Sequence, residues 1–268
     1  MIGSAIRWIG QAARVIAAGG ACLAMAIATQ SATADVVVAS NANTSVSGAS
    51  DQYGLMDSGP VTFQFAYSSS QFTGIGAGSA ITGIGFRLPA GSSTFNADLV
   101  YSSFSIQIGQ STALPGALST TFATNEASDT VTALSGPRTI AAGSLVGGSE
   151  PNPFLELTFT NAYTYTGGDI LVTLRHSDPG QDGVINVDAN YLPGQFSSPL
   201  PAGQADTVAS FGSADATSGK EGFFNVPVTA FYFQPTTAVP EPSPLFLAAA
   251  AIVPMFGYMK FRVRRRAA

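Results

Sequence analysis

Cysteine is almost absent from this chain: Cys22 is the single one, and it lies within an apolar run near the amino terminus. Everything downstream lacks a thiol, which excludes disulfides, thiolate catalysis and Cys-ligated zinc. The residues before Cys22, Gly19-Gly20-Ala21, lack the Leu of a lipoprotein site, and about half the apolar run lies beyond it. Histidine is equally scarce. His176 is the only one, so a Ser-His-Asp triad has one possible base, and no Gly-x-Ser-x-Gly occurs. Conventional zinc sites are excluded on the same count. Basic residues are missing from the middle of the chain, where Arg87, Arg138, Arg175 and Lys220 stand against sixteen acids between Asp35 and Glu241, a formal charge of −12. Such a body has no electrostatic footprint for nucleic acid. It is compatible with a cation such as calcium, and with charge that serves solubility alone. Phosphate cradles are lacking too: Gly74-Ile-Gly76-Ala-Gly78 has neither the third spacing of a dinucleotide fingerprint nor the Lys-Ser/Thr of a P-loop, and reads as a flexible turn.

What the middle lacks, the two ends hold. Arg7 and Arg14 precede the apolar run Val15 to Ala28, and Ala32-Thr33-Ala34 supplies the small-x-small pattern of a signal peptidase site. The run is shorter than the ~20 residues that span a bilayer. Residues 1–34 therefore read as a signal peptide, a helix cleaved before Asp35. At the other end, residues 237–268 contain Pro240-Glu241-Pro242, an uncharged stretch from Ser243 to Met259, and the basic group Lys260, Arg262, Arg264, Arg265 and Arg266. An apolar helix of this length is at the short limit for a transmembrane span, and its basic end stays on the cytoplasmic side. Pro254 would kink or weaken it.

These three pieces, in this order, resemble the PEP-CTERM sorting signal of Gram-negative bacteria. The resemblance covers about thirty residues. It implies that an exosortase recognises Pro240-Glu241-Pro242 and severs the helix, with Lys260 to Arg266 acting as the stop. It also implies a protein held transiently at the inner membrane and then delivered to the cell surface or an exopolysaccharide matrix.

Between the ends, residues 35–236 show no apolar stripe at helical spacing. Short alternating runs recur instead: Val61 to Tyr67, Ile84 to Leu88, Phe104 to Ile108, Leu155 to Phe159, Ile170 to Leu174 and Phe224 to Val228. A period of two with β-branched and aromatic residues means strands with one buried face. Turn-rich pieces such as Pro89-Ala-Gly-Ser-Ser, Gly147 to Pro153 and Leu192-Pro-Gly separate them. The expected fold is all-β, a single antiparallel domain of sandwich or jelly-roll type. Pro227 marks an edge strand or bulge. The succession Ile81 to Leu88, Ser102 to Ile108, Gly116 to Asn125, Asp129 to Pro137 and Asn152 to Phe154 is similar to a group of uncharacterised secreted PEP-CTERM proteins, which implies a common fold and no activity.

Chemistry is harder to locate. His176, just past a strand, reads as a surface or hydrogen-bonding residue. Glycoside hydrolysis needs only two carboxylates, and Glu126 and Glu156 are the formal candidates, although Glu156 alternates with core positions and should face solvent. One loop, Asp178-Pro-Gly-Gln-Asp182-Gly-Val-Ile-Asn186-Val-Asp188-Ala-Asn190, offers the oxygen ligands that calcium prefers, without EF-hand spacing. Asp178, Asp182, Asn186 and Asp188 are its speculative ligands; a solvated hairpin loop is the plainer reading. No other cofactor is expected. The expectation is a non-enzymatic structural or carbohydrate-associated surface protein, whose partners are the exosortase, the membrane during sorting, and exopolysaccharide. The alternative is a secreted, carboxylate-dependent glycoside-active enzyme.

Overall fold

The computed structural model of the chain describes residues 34–52, 55–56, 59–181, 185–191, 201–221 and 225–235. The signal segment through Thr33, with Ala32, and the whole sorting tail lie outside the described residues, as do both helices expected there. Among the described residues, no helix is long and apolar enough to cross a membrane.

The body is all-β and antiparallel. Its strands are β1 (Asp35–Ala39), β2 (Ser50–Gln52), β3 (Val61–Tyr67), β4 (Ala80–Phe86), β5 (Leu99–Gln110), β6 (Val131–Ile140), β7 (Leu155–Thr164), β8 (Ile170–His176), β9 (Val187–Asn190), β10 (Ala205–Phe211), β11 (Lys220–Glu221), β12 (Val226–Pro227) and β13 (Thr229–Gln234). They form a four-stranded sheet ordered β1-β13-β4-β7, a six-stranded sheet ordered β11-β10-β3-β8-β5-β6, and a small sheet ordered β12-β9-β2. Five of the alternating runs begin or lie within strands of matching position. The sixth shrinks to β12, with Phe224 outside the described residues, and Pro227 stands on an edge strand as its missing N–H requires.

The two larger sheets share one apolar cluster. β3 contributes Phe63, Phe65 and Tyr67, β8 contributes Ile170, Val172 and Leu174, and β5 contributes Phe104, Ile106 and Ile108; Ile84, Phe86, Leu157 and Phe231 come from the other sheet. Aromatic edges join the layers, with ring centroids 6.1 Å apart for Phe65 and Phe86 and 6.0 Å for Tyr67 and Phe231. Such contacts add about 0.5–1.5 kcal/mol each beyond the area they bury.

Every residue of β3 is buried, which one sheet face cannot achieve. The outer face of the six-stranded sheet is partly roofed by residues 111–126, and a second apolar cluster of Ala66, Leu118, Phe122, Leu171 and Val208 fills the space beneath. A carboxylate anchors the roof: Asp206 Oδ2 accepts the Gly116 and Leu118 amides at 3.1 and 2.9 Å, while Oδ1 accepts that of Thr207 at 2.8 Å. Buried Asn125 ties the far end down, donating to Gln64 Oε1 at 2.7 Å and to the Ser119 carbonyl at 2.8 Å.

Candidate functional site

Where the roof stops, the outer face of the six-stranded sheet lies open, and the register specifies what it presents. Thr62 of β3 stands opposite Arg175 of β8, Arg175 opposite Ser105 of β5, and Ser105 opposite Ser135 of β6. The next rung outward of the core reads Gln64, Thr173, Gln107 and Thr132. Alternation forces this arrangement, because Phe63, Leu174, Ile106 and their neighbours turn the opposite way into the core. Thr62, Gln64 and Thr173 are buried, and the remaining Ser105 and Arg175 of one rung and Gln107 and Thr132 of the next, about 7 Å apart along the strands, form the floor of a groove.

The wall is built from the 121–126 turn and residues 215–217, joined to each other by the Phe122 amide on the Thr217 carbonyl at 3.1 Å. The cavity holds about 480 Å³; Ser105, Gln107, Thr132, Arg175, Glu126 and Asp215 are among its polar groups, with Phe122, Ala123 and Ala216 apolar. A smaller depression of about 240 Å³ shares Ser105, Arg175 and Asp215 with it. Volumes of this order accommodate small ligands or a few units of a chain molecule.

Arg175 is fixed in place. Its Nη1 donates to Thr62 Oγ1 at 3.2 Å and to the Ala214 and Ala216 carbonyls at 3.4 and 3.0 Å, and its guanidinium lies 5.8 Å from the Phe122 ring centroid. No carboxylate pairs with it: the ion pair formed among the described residues is Arg87 with Asp188. Glu126 is half-buried at the groove edge, where Oε1 accepts from Thr173 Oγ1 at 3.4 Å.

The residues singled out in the sequence are distributed differently from that groove. Glu156 is exposed on β7 of the four-stranded sheet, as expected, and does not line the cavity with Glu126. His176, expected as a surface or hydrogen-bonding residue, is the second of these: it is fully buried at the end of β8. Its Nδ1 lies 2.8 Å from the Ser177 carbonyl and Nε2 3.0 Å from that of Leu55, between the rings of Tyr101 and Phe104. Each nitrogen lies within hydrogen-bond distance of a backbone carbonyl and the ring N–H donates to one of them, so the imidazole is a brace.

The calcium-like loop also resolves into separate roles. Asp182 lies outside the described residues. Asp178 is exposed and accepts the Gly180 amide at 2.8 Å, and the Asn186 amide donates to Asp51 Oδ2 at 3.4 Å. Asp188 is wholly buried: Oδ2 accepts from Arg87 Nε at 2.7 Å and Oδ1 from the Gly48 amide at 2.8 Å. Both its oxygens are engaged, which removes it from an open ligand set. Burial pushes the Asp188 carboxyl above its ordinary range, with the adjacent guanidinium opposing the shift. Among the described residues, no group of three or more His, Cys, Asp or Glu could hold a metal ion.

Arg175, Ser105, Gln107 and Thr132 escaped selection because each is an ordinary outward position in an alternating strand. The signal was partly present, since Thr173-Leu-Arg175 and Ser105-Ile-Gln107 face away from the core. The cross-strand register that unites them is not visible in sequence. Compared with known proteins, the chain matches no family model, no curated protein and no solved structure.

Proposed function

We propose that this is an exported protein whose tail is read by an exosortase, and whose β body, a jelly-roll-like sandwich, works at the cell surface or in the extracellular matrix. The observation that carries the sorting half is the ordered trio of Pro240-Glu241-Pro242, an uncharged stretch and a five-residue basic group, preceded by an amino-terminal segment ending in Ala32-Thr33-Ala34. The membrane and the exosortase are its partners during delivery. The body is a non-enzymatic structural or carbohydrate-associated component. Supporting this is a buried histidine, His176, held against backbone carbonyls and a buried carboxylate, Asp188, paired with Arg87.

Replacing Pro240-Glu241-Pro242 by three alanines tests the sorting reading. The expected result is a tail-retaining form that accumulates in the inner membrane fraction on immunoblotting. Unchanged processing and surface delivery would reject it. A second reading, a glycoside-active enzyme, draws on the presence of Glu126 and Asp215 at one groove; it requires reducing-sugar release from a polysaccharide that disappears in Glu126→Gln.

A further inference from the structure

We infer that the groove over β8 and β5 is a binding site for a neutral glycan chain, contacted through Ser105, Gln107, Thr132 and Arg175 of the six-stranded sheet. The claim deepens the proposal that the body works outside the cell, and it assigns that body a ligand class and a surface.

The polar groups of the groove are prepared for an external partner. Among the described residues Arg175 donates hydrogen bonds through Nη1, and its Nε and Nη2 hydrogens are left for another acceptor. The Gln107 carboxamide, the Ser105 and Thr132 hydroxyls and the Asp215 carboxylate line the same cavity and make no side-chain hydrogen bond among the described residues. Donors and acceptors therefore alternate over a short distance. Sugar hydroxyls, each able to donate and accept, satisfy such a mixture; a ligand offering only acceptors or only donors would leave half of it unpaired.

Rigidity favours binding as well. Ser105, Gln107 and Arg175 stand on the inner strands β5 and β8, and Arg175 is held at three oxygens, so this side chain loses little conformational freedom when a ligand arrives. Ala123, Ala216 and the edge of Phe122 supply apolar contact for the C–H faces of a sugar ring. The charge decides between neutral and acidic chains. Two carboxylates, Glu126 and Asp215, flank one arginine in a body of formal charge −12, which repels a polyanion.

The test is affinity gel electrophoresis of the exported protein in gels containing dextran, laminarin or galactomannan as neutral probes, and alginate or polygalacturonate as acidic ones. At least one neutral glycan should retard the protein. Arg175→Ala and Gln107→Ala should each weaken that retardation about three- to tenfold, and Thr160→Ala, on an exposed position of the other sheet, should leave it unchanged. Gln107→Ala removes no bond within the protein, so it keeps the test decisive even where loss of Arg175 loosens residues 214–216. Retardation by acidic glycans alone, by no glycan, or equally in Gln107→Ala and the parent protein would overturn the assignment. None of these outcomes bears on tail processing, so sorting and binding fail independently.

Discussion

Arg87 and Asp188 are nearly inaccessible to solvent, at 1% and 0% relative exposure, and their contact at 2.7 Å closes a polar box beneath residues 40–49. Arg87 Nη2 also donates to the Asn43 and Val46 carbonyls, and Asn190 Nδ2 donates to Asn43 Oδ1 at 2.6 Å. The chain passes so close to β9 here that a Cβ on Gly48 would sit 2.0 Å from the Ala189 carbonyl oxygen, which only glycine avoids. A buried pair is weak evidence for net stability, but removing one partner leaves a charge without compensation. Asp188→Asn should therefore destabilise the protein by about 3–5 kcal/mol in urea unfolding, whereas Asp178→Asn, on an exposed loop, should cost about 0.5 kcal/mol or less. Equal losses at the two positions would contradict the assignment of Asp188 to the interior. The sequence makes these two aspartates look alike, since both belong to one polar stretch. What separates them is a loop contributed from about 140 residues away, and no local pattern encodes that cover.

Strands announce themselves where one face is apolar and the other is not, and β3, β5, β7 and β8 were legible for that reason. β9 and β10 are not legible because the cover they receive from other segments allows small and polar residues inside: β9 reads Val-Asp-Ala-Asn and is buried throughout. β6 was obscured by Gly136 and Pro137, which its edge position tolerates. The roof formed by residues 111–126 is the least legible piece, being held to a distant strand by hydrogen bonds to Asp206. Its dependence on Asp206 is directly measurable. Asp206→Ala strands the Gly116 and Leu118 amides near the sheet, at a cost of about 1–3 kcal/mol for each group left buried and unpaired. Hydrogen exchange at these two amides should accelerate well beyond that at the β3 amides. Uniform acceleration across both segments would mean that the roof and the sheet open as one unit.

At the scale of the whole molecule, the tyrosines report how far the sheets stay closed. Burial raises the phenol of Tyr67, whose hydroxyl bonds Thr229 Oγ1 at 2.9 Å and the Pro227 carbonyl, linking β3 to the strands of the other layers. Burial also raises Tyr163, with Asp129 adding to the shift, Tyr165, with Asp169 adding, and Tyr232, with Glu156 adding. In the unfolded chain these groups ionise near their ordinary value of 10.0, while the folded protein keeps their protons. The folded state thus binds more protons above that pH, and stability falls as pH rises through this window; below it, the contribution is fully present. Four of the eight tyrosines act in the same direction, so the midpoint of thermal unfolding should drop progressively above pH 10. Part of the phenolate absorbance should then appear only together with loss of the β-sheet circular dichroism. Tyr67→Phe should remove one phenol from that coupled fraction and weaken the alkaline dependence accordingly. Should all the phenolate signal instead develop while the sheet spectrum is unchanged, the phenols would be reachable by hydroxide in the folded state, and the closed aromatic interface between the two large sheets could not be as described.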